Sequence, residues 1–148
     1  MSLNIKNKIV LITGASSGIG QAAAKQFAAK GIRLILTARR LERLEQLAAE
    51  LKATYNVDVL SIQLDVRDKA QVKSMIQNLP EKWKEIDILL NNAGLALDSV
   101  PIQEGDIDHW DTMINTNIQG LLYMTREILP GMIKRNTGHI INIGSVER

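Results

Sequence analysis

One stretch constrains the fold more than any other. The turn Thr13-Gly14-Ala15-Ser16-Ser17-Gly18-Ile19-Gly20 follows a β-branched run, Lys8 to Thr13, and opens an Ala-rich stretch that reaches Ala29. The run before it reads as a short strand buried on both faces, and the stretch after it as a helix closed by Gly31. A strand that turns so sharply into a helix aims the helix N-terminus at whatever lies above the sheet. Gly14 allows the tight turn, Gly18 leaves room for a phosphate to approach the backbone, and Gly20 lets the helix pack closely on the sheet. The N–H groups freed along Ser16, Ser17, Gly18, Ile19 and Gly20 then form an anion site.

The rest of the chain repeats the alternation. Arg33–Thr37 reads as a second strand, and Leu41, Leu44, Leu47, Ala48 and Leu51 mark a helix to about Thr54. Val57–Leu64 is a third strand, followed by a helix on Ala70, Val72, Met75, Ile76 and Leu79 that Pro80 stops. Ile86–Leu90 is a fourth strand. A long helix runs from Ile107 to about Ile133, interrupted near Pro130-Gly131 and finished by Gly138, and His139–Ile143 is a fifth strand. Strands separated by helices pair in parallel through right-handed crossovers. The expectation is a single α/β domain over 1–148, an open doubly wound sheet with strand order 3-2-1-4-5.

Composition narrows the function classes. With 148 residues, 45% hydrophobic, 23% charged, 10 Gly and 3 Pro, the chain has the makeup of a globular domain. It has no Cys, which removes disulfides, thiolate zinc sites and thiol nucleophiles. Eighteen basic and sixteen acidic residues give +2, and aromatics are 3%, so nothing points to nucleic acid. No apolar run approaches a membrane span. Met1 to Lys8 lacks the apolar core of a secretory leader, so a cytoplasmic protein is expected. His109 and His139 have no ligand-spaced partners, so no metal site is expected. Trp83 and Trp110 read as packing residues.

The spacing T-G-x-x-x-G-x-G resembles the form found in the short-chain dehydrogenase/reductase family. Further blocks fall in the family's order: Asp65-Val66, Asn91-Asn92-Ala93-Gly94, Asn117-Ile118-Gln119-Gly120, and Ile141-Asn142-Ile143-Gly144-Ser145. The resemblance covers the whole chain and implies a Rossmann-like fold that binds a nicotinamide dinucleotide. At the end of the second strand Ala38 stands where an acidic residue would grip the ribose of NAD, and Arg39-Arg40 follow. A guanidinium suits a phosphate monoester, which favours NADP(H). The alternative is that both arginines simply open the next helix in solvent. Asp65, with Val66 beside it, is implied to contact adenine; it would equally serve as the cap of the following helix. Asn92, Ala93 and Gly94 are implied to stand behind the nicotinamide ribose, while Asn91 holds the sheet.

In the family an Asn, Ser, Tyr and Lys form the active site. The resemblance assigns the Asn to Asn117 and the Ser to Ser145. Asn117 sits inside an apolar helix, so burial and a hydrogen-bonded partner are expected of it. The family's Y-x-x-x-K block should follow Ser145 by about a dozen residues. Tyr55 and Tyr123 have no Lys four positions on, and the last strands of the family are absent from 1–148. Little turnover is therefore expected from these residues alone, and the fifth strand is expected to be an edge. The implied activity is hydride transfer between nicotinamide and a small hydroxyl or carbonyl substrate. Thr37 to Leu44, Asn92 to Ala96 and Leu121 to Arg126 look most like the branch acting on serine and other 3-hydroxy acids. The alternatives are a non-catalytic NADP-binding module and a half-domain that needs a complementary fragment. The long helix carries apolar residues on more than one face, which implies a homo-oligomer, a dimer or tetramer.

Overall fold

The computed structural model describes residues 5–145. Residues 1–4, part of the start read for a leader, and 146–148, the end of the expected domain, lie outside the described residues.

The strands are β1 (Ile9–Ile12), β2 (Arg33–Ala38), β3 (Val59–Gln63), β4 (Ile88–Asn91) and β5 (His139–Asn142). Between them lie the helices α1 (Gly18–Ala29), α2 (Leu41–Tyr55), α3 (Lys69–Gln77), α4 (Ile107–Ile114) and α5 (Leu121–Arg135). All strand pairs are parallel, and the order is β3-β2-β1-β4-β5. This is the expected doubly wound sheet.

The strand period of two sorts the core into two layers. Val10, Ile12, Leu34 and Leu36 point to one face, where Ala24 and Ala28 of α1 and Leu44, Leu47 and Leu51 of α2 cover them. Ile9, Leu11, Ile35 and Leu89 point to the other, against Val72 of α3 and Met124, Ile128 and Met132 of α5. Covered on both sides, β1 has no polar alternation. Burying a side chain such as Leu34 contributes about 1.5–3 kcal/mol. Trp83 is buried in the second layer, with the Arg33 guanidinium 5.6 Å and the Lys82 ammonium 5.4 Å from its ring centre. Trp110 is half-buried. Among the described residues β5 pairs on one side only, with β4, as expected.

Three local expectations need correction. Pro130 does not interrupt the long helix: α5 runs through it to Arg135. The interruption is a π-helical stretch, Asn115–Gly120, between α4 and α5. The helix ends on Asn136 in the left-handed region (φ 53°), before Gly138 is reached. The cap of α3 is Asp68, whose carboxylate accepts from Gln71 N–H, and not Asp65.

Candidate functional site at the carboxyl ends of the strands

A cavity of about 890 Å³ opens where the chain leaves β1, β2, β3, β4 and β5. Open α/β sheets place ligands at this edge because helix N-termini converge there. Its walls include Gly14, Ser16, Ser17, Gly18 and Ile19; Arg39 and Arg40; Asp65 and Val66; Asn92, Ala93 and Gly94; and Asn117 and Ser145. Of the residues expected from sequence, Gly20 alone is not on the wall. It lies behind, where a Cβ would run into the Gly14 carbonyl and the Asn92 side chain.

The Gly-rich turn is a cradle. Gly14 has φ +62°, and a Cβ there would come within 2.9 Å of Ala93 Cα. Gly18 has φ +56° and nothing within 4 Å of its would-be Cβ, so the space above it is open. Helices α3 and α4 begin with aspartate caps, Asp68 and Asp106. In contrast, α1 has no side-chain cap and no acidic residue in its first turn. Its N–H groups and dipole therefore face the cavity uncompensated, the arrangement that favours an anion.

Asn92 and Thr13 stitch this turn to the end of β4. Asn92 Nδ2 donates to the carbonyls of Thr13 (3.2 Å) and Gly14 (3.1 Å). Thr13 Oγ1 accepts from the N–H groups of Asn92 (3.0 Å) and Ala93 (2.9 Å). The visible work of Asn92 is thus to hold the cradle's shape. Asn91 Nδ2 donates to Thr125 Oγ1 (3.1 Å) and Asn142 Oδ1 (3.0 Å), joining β4 to β5 and α5 as expected.

The end of the cavity beside β2 is rich in guanidinium groups. Arg39, Arg40, Arg43 and Arg67 all line it. Gln63 Nε2 donates to the Arg39 carbonyl at 2.9 Å, fixing the backbone where β2 ends. Asp65 sits among them, engaged by Arg67. Its Oδ1 accepts from Arg67 N–H and Nε–H, both at 3.0 Å, and its Oδ2 from Nη2–H at 2.7 Å and Nε–H at 3.2 Å. These Arg67 hydrogen bonds, aided by the Arg39 charge, hold the Asp65 carboxyl below the ordinary carboxylate range, against the opposing pull of partial burial. Sequence reasoning missed Arg43 and Arg67. Arg67, two residues beyond Asp65, was the available signal.

The other end is built on amides. Asn117 is exposed rather than buried. The π-helical stretch turns its side chain to the loop after β4, where Oδ1 accepts from Leu95 N–H and Nδ2 donates to the Leu95 carbonyl, each at 2.9 Å. Such widened turns recur at functional sites because they re-aim a side chain. The buried polar residue there is its neighbour Thr116, whose Oγ1 has no hydrogen-bond partner among the described residues. Ser145 lies past β5, exposed at the rim. Asp98, also on the wall, is 2.6 Å from His109 Nδ1, a pairing not anticipated from sequence. That contact, with smaller help from Asp106 and Asp108, raises the His109 pKa above its ordinary value. Among the described residues no group of three or more His, Cys, Asp or Glu is placed to hold a metal ion, and no helix is long and apolar enough to cross a membrane.

The sequence profile described as short chain dehydrogenase matches residues 8–148. The chain belongs to this family. It is 51% identical over 137 residues to the NADP-dependent 3-hydroxy acid dehydrogenase YdfG of Salmonella typhi, a match covering 93% of this chain and 54% of that protein. It is 52% identical over 139 residues to sulfoacetaldehyde reductase 2 of Chromohalobacter salexigens, again covering 93% and 54%. A solved structure, the closed form of serine dehydrogenase complexed with NADP+, superposes with a TM-score of 0.86 at 49% identity, covering 93% of this chain and 54% of that one. The chain thus spans about half the length of the curated relatives it matches.

The site fits a phosphorylated dinucleotide on this chain's own features. A cradle open above Gly18, an uncapped helix N-terminus and a guanidinium-lined end are each complementary to phosphates.

Proposed function

We propose that this chain supplies the NADP(H)-binding half of an oxidoreductase that interconverts a hydroxyl and a carbonyl group. The single observation carrying the reading is the cavity's continuity from the arginines at the end of β2, past the uncapped N-terminus of α1, to Asn117 and Ser145. Nicotinamide, when bound, exchanges a hydride with the substrate carbon. The residues do the rest. The N–H groups at the start of α1 receive the pyrophosphate. Arg39 and Arg40 receive the 2′-phosphate, in the absence of a carboxylate at Ala38. Asp65 and Val66 face the adenine, and Ala93 and Gly94 permit close approach of the ribose. Ser145 orients the substrate oxygen, and Asn117, locked to the Leu95 backbone, fixes the loop beside it. The relatives' names support a small 3-hydroxy acid or a sulfonated aldehyde as substrate class. Activity and substrate are proposed for the whole protein, of which these residues correspond to about half a relative's length.

Ile114, Ile118, Leu122, Leu129 and Ile133 are exposed along one stripe of the α4–α5 helix. Their spacing of four or seven residues keeps them on one face. A second copy of the chain covering this stripe makes the protein a homo-oligomer; a monomer in light scattering contradicts that.

The cofactor reading is tested by Arg39→Asp. Replacing a guanidinium with a carboxylate removes a charge-assisted pair and adds a repulsion, so NADPH binding weakens about 100-fold. NADH, lacking the 2′-phosphate, changes little. Equal weakening of both removes the 2′-phosphate role from Arg39.

A further inference from the structure

We propose that Arg67 is a specificity-determining residue, which admits a 2′-phosphorylated dinucleotide by neutralising Asp65. This rests on the NADP(H) reading above and deepens it.

Asp65 presents a problem to that reading. It stands on the same wall as Arg39, Arg40 and Arg43, where the 2′-phosphate is to be received. A phosphate monoester carries about −1.5 to −2 charges at neutral pH. An unmasked carboxylate on that wall repels it through space. Without Arg67, Asp65 would partly restore the anionic character that Ala38 removes from the end of β2.

Arg67 answers this geometrically. Its planar fork lies against both carboxylate oxygens, while its own N–H donates to Oδ1. A bidentate guanidinium pair fills the carboxylate's acceptor positions and cancels its charge at contact distance. Asp65 is further fixed by its N–H, which donates to Gln71 Oε1 at 2.7 Å. The pair is therefore held in place before any ligand arrives. The charge of Arg39 reaches Asp65 as well, which places the carboxylate within electrostatic range of the proposed phosphate receiver. Among the described residues the one other carboxylate on the cavity wall, Asp98, is likewise covered, by His109. With both acids masked, the wall offers the dinucleotide positive and neutral groups.

The test is equilibrium titration of the full chain with NADPH and with NADH, at low and high ionic strength. Arg67→Met leaves Asp65 bare. NADPH binding should fall about tenfold at 0.01 M salt while NADH changes less than about twofold, and the difference should shrink at 1 M, where charges are screened beyond about 3 Å. Adding Asp65→Asn to Arg67→Met should restore the wild-type preference, and Arg67→Lys should keep most of it. Should Arg67→Met fail to fold, Asp65→Asn alone decides. It leaves the NADPH/NADH ratio undiminished if Asp65 needs masking, and lowers that ratio if Asp65 itself selects the phosphate. Equal weakening of both cofactors by Arg67→Met, or no rescue by the double variant, overturns the proposal while leaving the NADP(H) reading intact. A wild-type chain that shows no preference for NADPH overturns both.

Discussion

The two ends of the cavity are built on different plans. At the β2 end the wall carries full charges: Arg39, Arg40 and Arg43 line it, and Asp65 is paired to Arg67. At the far end, neutral amides and hydroxyls dominate: Asn117 pairs with the Leu95 backbone, Thr116 is unpartnered, and Ser145 sits at the rim. Charge acts over several ångströms and tolerates imprecise placement, whereas hydrogen bonds demand geometry. On the proposed reading, the end that receives the 2′-phosphate stands on guanidinium groups. The end proposed to position the substrate is tied to backbone through Asn117 and Leu95. Between them, the Asn92–Thr13 stitch ties the Gly-rich turn to the end of β4.

Breaking that joint should have the largest effect. Asn92→Leu leaves the Thr13 and Gly14 carbonyls without their donor and should cost about 2–3 kcal/mol in urea denaturation, with NADPH binding lost. Unchanged stability would show that the cradle holds without Asn92. Next comes Asn117→Ala, which removes two hydrogen bonds from an exposed position. It should destabilise by about 1–2 kcal/mol and speed amide exchange at Leu95, leaving the NADPH/NADH preference untouched. A changed preference would mean that the two ends are not separable.

Thr116→Val has a smaller effect of opposite sign. Removing a buried, unpartnered hydroxyl should stabilise the free chain by about 1 kcal/mol in urea denaturation. Destabilisation of the free chain would reveal a partner. The smallest effect concerns pH. The raised His109 pKa means that its tie to Asp98 contributes fully below the unfolded histidine value of 6.5 and fades as pH rises through the folded value. His109→Gln should remove that alkaline decline in thermal midpoint. A decline that persists assigns the effect elsewhere.

The sheet was legible because its signals are local and repeated: five apolar runs, each followed by a turn at the expected place. The Gly-rich turn disclosed its own geometry for the same reason. The long helix was misread because Pro130 is a strong local signal that the surrounding α5 packing overrides, while the π-helical stretch at Asn117 leaves no propensity mark. Asp65 reads as the cap because the sequence does not show how long the turn after β3 is; the helix starts later and its cap is Asp68. Arg67 escaped notice because a guanidinium in a turn reads as solvated until its partner's position is known. Thr116 escaped because burial inside a helix of mixed polarity is set by tertiary packing.

The central claim is that one dinucleotide spans both ends. The most direct test follows backbone amide resonances of the full chain during titration with NADP+ and with adenosine 2′,5′-bisphosphate. The account predicts that NADP+ shifts Gly18 and Arg39 at one end and Gly94 and Asn117 at the other. The bisphosphate should shift the Arg39 and Asp65 region and, through its 5′-phosphate, Gly18, while leaving Gly94 and Asn117 unmoved. An NADP+ titration that leaves Gly18 and Asn117 unmoved, or a bisphosphate that moves the Asn117 end, would contradict it.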